Sequence, residues 1–403
     1  MPRIIQGSWL DEYMHYTRNQ ESPALFHKWC GISAVGAALE RHISIDMGEE
    51  GEKGAYQVRP NLFIILVADP ALCKKSTAID MMSDLLIEME EPVNIFAQKI
   101  TTEALISRMA ATMKMEGEEV VHNSACMVIA SELGVFLGSD AYTKGLVGVL
   151  IELYDCKNVF KYETKARGTE VLRKTWIHLI GGTTPTWLKS GFPSESVGGG
   201  FTSRIIFVYS NKPRERNPFP SVDYQSKDKL IKDLDVISRL KGEVKWSKEG
   251  REWYRVWYKE QEVKRESMTL LGYSLRKAVN VVKIAMILSV CESDRLILEV
   301  KDLELALSVL DEVEVDMGHA VMSIEKSAKG SNLEHVYSII KESGEISRVD
   351  LMRRMSYKHS AVELDEVLST LLEAGMVKEY EVTSPNTSRG VRSKRMYSMV
   401  KEE

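Results

Sequence analysis

The segment Asn61-Leu-Phe-Ile-Ile-Leu-Val-Ala-Asp-Pro-Ala-Leu-Cys-Lys-Lys-Ser-Thr77 carries two messages in one run. Its first part is an unbroken apolar stretch of strand length, and such stretches belong to strands buried on both faces, as in a parallel sheet. Its second part is a polar turn that runs into a helical pattern over 76–90. A buried strand followed by a turn and a helix start is the setting in which a phosphate-binding loop is built, because the first helical amides have no intrahelical partner and the helix dipole favours an anion there. Lys75 and Ser76 occupy the Lys and Ser/Thr places of the pattern GxxxxGK[ST]. Lys75 is then placed to reach the β- and γ-phosphates of ATP and Ser76 to hold Mg²⁺, with Asp69, Cys73, Lys74 and Thr77 completing the loop. Both glycines of that pattern are missing, replaced by Asp69 and Lys74. Glycine is used there so that the backbone can curl and aim its N–H groups inward, and an aspartate beside phosphate is unfavourable unless Lys74 or the metal offsets it. An ordinary helix start on the surface is the competing reading.

Outward from this segment, further strands of the same buried character are expected at Val93–Ala97, Ala125–Ala130, Trp176–Gly181 and Ile205–Tyr209. Helical patterns at 76–90, 102–115 and 144–154 separate most of them. Strands alternating with helices predict an α/β parallel sheet over residues 55–225. Residues 1–54 read as a helical N-terminal segment, with Trp9, Tyr13, Phe26, Trp29, Ile32 and Val35 at helical spacing. From 226 to 326 strands are expected to disappear and a helical lid to take over. Ser327–Asn332 reads as a linker to a last module, 333–403. Ser347-Arg-Val-Asp350 and Ser360-Ala-Val-Glu363 have capping-box spacing, Gly375 closes a helix, and two strand-like runs follow. Three helices and a hairpin suggest a winged-helix domain.

Composition bounds the possibilities. The 403 residues carry 53 basic and 58 acidic side chains, a net of −5, which excludes a globally basic nucleic-acid packaging protein. A hydrophobic share of 44% with 28% charged fits a chain with a buried core. The longest apolar stretch, Leu62–Ala68, falls far short of the ~20 residues of a membrane helix, so no membrane association is expected. The start Met-Pro-Arg-Ile-Ile-Gln-Gly has no secretory pattern, and the five scattered cysteines contain no CxxC pair. Both point to a reducing cytoplasm. The histidines show no metal-binding spacing.

Four more places invite a chemical reading. Ala125–Glu132 is an apolar strand ending in Ser131-Glu132, about 55 residues beyond Lys75. Glu132 is placed to orient an attacking water, and Ser131 stands where a metal-binding aspartate is usual. Ile177–Pro185 is a strand ending in Gly-Gly-Thr-Thr-Pro, where Thr183 or Thr184 could sense the γ-phosphate, and Thr184 is preferred. Gly198-Gly-Gly-Phe-Thr-Ser-Arg204 leads into a strand, so Arg204 suits an arginine finger reaching a neighbouring subunit; a structural salt bridge is the alternative. Arg276, at the start of a lid helix, stands where a second sensor arginine is expected.

These motifs together resemble a phage and prophage family of YfjI-like P-loop proteins. The resemblance spans about Tyr13 to Val309 and rests on Ser131-Glu132, Leu153–Cys156, Phe160–Thr164, Gly181–Leu188 and Gly198–Tyr209. It implies a P-loop ATPase of RecA/AAA+ type, similar to replicative helicases, with loop glycines often lost, ATP bound at subunit interfaces and Arg204 acting in trans. That in turn implies a homo-oligomeric ring and a host that is a bacterial or archaeal cell.

Residues 157–174 hold six basic and two acidic side chains around Lys165-Ala-Arg-Gly168, with the alternation of a β-hairpin. Hexameric helicases carry such a hairpin just before the first sensor, where Lys165 and Arg167 would grip the phosphates of single-stranded DNA. In the last module the third helix carries Glu363, Asp365, Glu366 and Glu373 and no Lys or Arg. DNA contact is therefore expected from the wing, through Arg389, Arg392, Lys394 and Arg395 with Lys358 and His359, or else the module binds a replication partner protein. The expected function is an ATP-dependent DNA motor of mobile-element replication. A helicase loader or initiator ATPase and a hydrolysis-deficient DNA-binding scaffold are the alternatives.

Overall fold

The computed structural model describes residues 2–97, 99–116, 119–138, 145–164, 168–191, 200–261, 268–355, 361–383 and 393–400. Its centre is a five-stranded, all-parallel sheet made of β1 (Phe63–Val67), β2 (Ile95–Ala97), β3 (Ala125–Ala130), β4 (Trp176–Thr183) and β5 (Ile205–Tyr209). The order is β5-β1-β4-β3-β2, with Ile64 of β1 standing between Ile180 of β4 and Ile206 of β5. Every residue of β1, β3 and β4 is buried. That is why these strands read as continuous apolar runs rather than alternating ones. The helix Ala24–Leu39 has no charged residue after Lys28 and is buried almost all round.

The strand order fixes where a ligand can sit. From β1 the chain crosses to the far edge at β2 and returns stepwise through β3 to β4. From β4 it passes β1 to reach the opposite edge at β5. The two connections leave neighbouring strands in opposite directions, the arrangement that in open α/β sheets places a binding crevice beyond the carboxyl ends of the two strands, here β1 and β4.

The region after 226 is not strand-free as expected. Gly242–Trp246 and Ile297–Leu298 form a second sheet with Ile43–Asp46 and Gln57–Val58. Gly242–Trp246 runs parallel to Ile43–Asp46 and pairs Val244 with Ile45. The N-terminal segment and the expected lid therefore share a sheet. Neither does residues 327–332 form a linker. One helix runs from Val300 to Ser343, 44 residues without a break. A single glycine inside a helix costs only ~1 kcal/mol relative to alanine, and both ends of this helix are anchored. Leu303, Leu310, Val313 and Met317 belong to the main core, while Val336, Ile339 and Ile340 belong to a separate C-terminal core.

That C-terminal module contains the helices Arg348–Met355 and Ala361–Glu373 and a three-stranded antiparallel sheet of Glu345–Ser347, Ser393–Met399 and Val377–Thr383. Ser347 caps the first helix as its spacing predicts: the Asp350 amide donates to Ser347 Oγ at 3.1 Å and Ser347 Oγ donates to Asp350 Oδ2 at 2.6 Å. Gly375 ends the second at φ +68°, where glycine alone adopts the left-handed backbone without strain. Ser360 lies outside the described residues. No helix among the described residues is long and apolar enough to cross a membrane.

Candidate functional site

The loop after β1 curls through left-handed residues although neither glycine of the expected pattern is present. Lys74 sits in the left-handed region at φ 43°, ψ 49°, immediately before the helix Lys75–Ile87, and Ala71 has φ 60°. A residue with a Cβ costs roughly 1–2 kcal/mol in that region, so the surroundings must hold it there. They do so through the N-terminal segment. Ser22 Oγ donates to the Lys74 carbonyl at 2.9 Å, and Lys74 Nζ pairs with Glu21 at 2.8 Å. That hydrogen bond holds the Glu21 carboxyl below its usual range. The helix itself has no side-chain cap, so its first amides stay available to an anion. Strain of this kind concentrates at functional sites.

Asp69 is held in place by a neutral amide. Asn211, just beyond β5, accepts from the Asp69 amide at 2.9 Å and donates to its carboxylate at 2.8 Å. Cys73 is buried, its Sγ 3.4 Å from the Ser210 carbonyl, and burial pushes its thiol up. Ser76 is exposed and Thr77 half-buried on the first helical turn. Lys75 is half-buried and donates to the Ala68 carbonyl at 2.9 Å. Burial lowers its pKa, while the charge of Glu132 works against that shift. The two ionic groups therefore feel each other across the crevice.

The ends of β3 and β4 meet this loop. Ser131 and Glu132 are exposed, and Glu132 is the N-cap residue of the helix Leu133–Leu137. A Cβ on Gly182 would lie 2.8 Å from the Ser131 carbonyl oxygen and 3.5 Å from Lys75 Cβ. Only glycine lets the end of β4 come this close to the Ser131 carbonyl, while the contact with Lys75 is an ordinary one. Thr184, expected to sense phosphate, is half-buried, and its Oγ1 accepts from the Trp187 amide at 3.1 Å, capping the helix Pro185–Gly191. Its neighbour Thr183 is fully buried with a hydroxyl that meets no partner. Among the described residues no group of three or more His, Cys, Asp or Glu side chains is placed to hold a metal. A divalent cation here would depend on Ser76 and on oxygens of the ligand itself.

The two arginines stand elsewhere. Arg204 precedes β5 and therefore lies at the amino end of the sheet, about 16 Å of strand away from Tyr209 at ~3.3 Å per residue. It does not project. Its guanidinium is buried, donates to the Gly200 carbonyl at 2.8 Å, and pairs with both oxygens of Asp155 at 3.2 and 3.3 Å. The salt bridge, not a free finger, is what the structure contains, because a buried guanidinium needs a carboxylate beside it. Arg276 joins the same place: its Nε donates to Ser203 Oγ at 3.1 Å, and burial followed by repulsion from Arg204 lowers its pKa. It does not reach the loop of Lys75 in its own chain.

The hairpin is present as Val159–Thr164 paired with Gly168–Arg173. Leu172 is buried and Phe160 and Tyr162 are half-buried on one side; Lys161 and Arg173 are exposed on the other. Its base is clamped at the amino end of the sheet by Arg41, which donates to the Thr175 carbonyl at 2.7 Å and to the Cys156 carbonyl at 2.5 Å. Lys165 and Arg167 lie outside the described residues, as do Lys358, His359, Arg389 and Arg392. Lys394 and Arg395 are exposed on Ser393–Met399. The acidic helix is partly neutralised, since Arg348 grips Asp365 through two hydrogen bonds of 2.9 and 2.7 Å.

Sequence reasoning missed Asn211, Ser22 and Glu21, which support the loop from 142, 52 and 53 residues away, and it missed the steric role of Gly182. Only the Gly181-Gly182 pair at a strand end carried a signal. No protein-family profile matches the chain, and no curated protein matches it.

Proposed function

We propose that the chain is a P-loop nucleoside triphosphatase of RecA/AAA+ type with a C-terminal winged helix, acting as an ATP-dependent DNA motor. One observation carries this reading. Lys75, the uncapped helix start, Ser131-Glu132 and Gly182 converge at the carboxyl ends of β1, β3 and β4 in a parallel sheet, where the direction of chain progress reverses. The left-handed Lys74 adds to it, since it supplies the backbone curl for which the missing glycine is normally used.

In this reading the helix amides and the Lys75 ammonium bind the phosphates. Lys75 exchanges the Ala68 carbonyl for a phosphate oxygen. Ser76 contributes its hydroxyl to Mg²⁺, which when bound neutralises the phosphate charge. Glu132 orients water on the exposed side of the crevice. The hairpin at the amino end of the sheet, with Lys161 and Arg173 on its open face, contacts single-stranded DNA.

The salt bridge between Arg204 and Asp155 favours a second reading, a slow switch such as a helicase loader, in which no arginine is delivered to a neighbour until Asp155 is displaced. The deciding experiment is ATP hydrolysis with and without single-stranded DNA, with Lys75→Ala as reference. Turnover that rises with DNA and drops at least ~100-fold in the variant is the expected result. Turnover present but indifferent to DNA points to the switch. Absence of turnover above the variant removes both.

A further inference from the structure

We propose that the groove along the helix Lys248–Glu260 is a binding site for an arginine- or lysine-bearing peptide segment of a partner protein. The site belongs to the second sheet's side of the molecule and does not depend on the nucleotide reading. Glu249, Glu252, Trp253, Val256, Trp257 and Glu260 recur at spacings of three and four, so they form one face of the helix. Together with Lys248 and Val300, at the start of the long helix, they line a groove of about 680 Å³.

The centre of that face is aromatic and its ends are acidic. The indoles of Trp253 and Trp257 lie parallel, 6.0 Å apart with 8° between their planes. Both are half-buried, anchored on the core at one side and open to the groove at the other, while Val256 between them is 46% exposed. Exposed indole faces attract cations through the ring quadrupole, and arginine adds planar stacking. Glu249 and Glu260 stand about three turns apart on the same face, and both are exposed. Glu252 is shared with Arg255, which also holds Glu49 at 2.6 Å. With Glu252 met by Arg255, Glu249 and Glu260 against Lys248 still leave the groove net acidic, which disfavours a phosphate backbone and suits a cation. The charge of the groove therefore selects a basic segment over the nucleic acid expected at the hairpin.

The test uses the full-length protein and a short alternating arginine–glycine peptide, with a citrulline counterpart that keeps the shape and loses the charge. Binding is read by titration calorimetry and by indole fluorescence. The expected result is a dissociation constant roughly tenfold or more tighter for the arginine peptide, and a loss of about tenfold in the variant Glu249→Gln/Glu260→Gln. These exposed positions leave the fold intact, so the variant should melt with the parent. The proposal is overturned if the arginine peptide does not bind, if citrulline binds equally well, or if the double variant keeps full affinity. It is also overturned if the chain self-associates and the double variant abolishes that, since a second copy would then be the occupant.

Discussion

The two ends of the central sheet solve opposite problems. At the carboxyl end the backbone is held in left-handed conformations at Ala71 and Lys74, the helix is uncapped, and Lys75 rests on a carbonyl it can leave. At the amino end the cations are engaged. Arg204 has Asp155, Arg276 has Ser203, Arg41 holds the hairpin base, and Lys283 donates to the carbonyl and side-chain oxygens of Asn61 at 2.8 and 2.7 Å. At the first end the helix amides are uncapped and Lys75 is held by one carbonyl, while at the second most cations have several acceptors. Charge in a sequence does not reveal which of these it is, because a satisfied arginine and an available one are spelled alike.

The largest effect is expected from Gly182→Ala. A methyl group 2.8 Å from the Ser131 carbonyl forces β4 and the end of β3 apart, costing about 2–3 kcal/mol. Urea unfolding measures it, and a loss under ~0.5 kcal/mol would mean that the carboxyl end yields easily to an added methyl group. Next is Asp155→Ala, which strands a buried guanidinium. Removing a fully buried partner costs about 3–5 kcal/mol, and Asp155 is half-exposed, so about 1–2 kcal/mol is expected. If the variant instead keeps its stability and gains ATP turnover or self-association, Arg204 is an arginine that the salt bridge restrains.

A third effect sharpens the comparison through pH. His178, on β4, is buried and its imidazole is lowered to about 3, by burial first and by the Lys283 charge second; burial likewise lowers His27 to about 3. The unfolded chain takes up these protons below pH ~6.5. Stability is therefore fully present above about 6.5 and falls as pH drops toward 3, by ~1.4 kcal/mol per pH unit for each histidine. His178→Asn should halve the histidine share of that slope between about pH 6 and 5, whatever it does to stability at neutral pH. An unchanged slope would show that His178 is not neutral in the fold. The smallest effect is expected from Lys74→Gly, which relieves left-handed strain of roughly 1–2 kcal/mol and gives up a partly exposed ion pair with Glu21 worth up to ~1. A net gain of about 0.5–1 kcal/mol with turnover retained fits a loop whose shape matters more than its side chain. A net loss would mean that the Glu21 contact, not the backbone, sets the loop.

Legibility in the sequence followed the distance between partners. All five core strands were readable because parallel strands buried on both faces are written as apolar runs. The loop at Lys75 and the end of β3 at Glu132 were readable because strand, turn and helix are contiguous. Unreadable were features made by remote pairs. Ile43–Asp46 meets Gly242–Trp246 across about two hundred residues, and strands of four and five residues carry little periodicity. Asp155 lies 49 residues from Arg204, so the salt bridge could be guessed only as an alternative. The polar run at 327–332 looked like a linker because local composition says nothing of the two cores that anchor a helix from its ends.

That helix has a mechanical consequence. At 1.5 Å per residue, 44 residues make a rod about 66 Å long. Its first half, to Val321, lies in the main core and its last turns belong to the C-terminal core. A tilt of about 10° where it leaves the core would carry the far end, roughly 33 Å further on, through about 6 Å. The C-terminal module is therefore not on a tether but on a lever, and small rotations near the main core arrive there as translations.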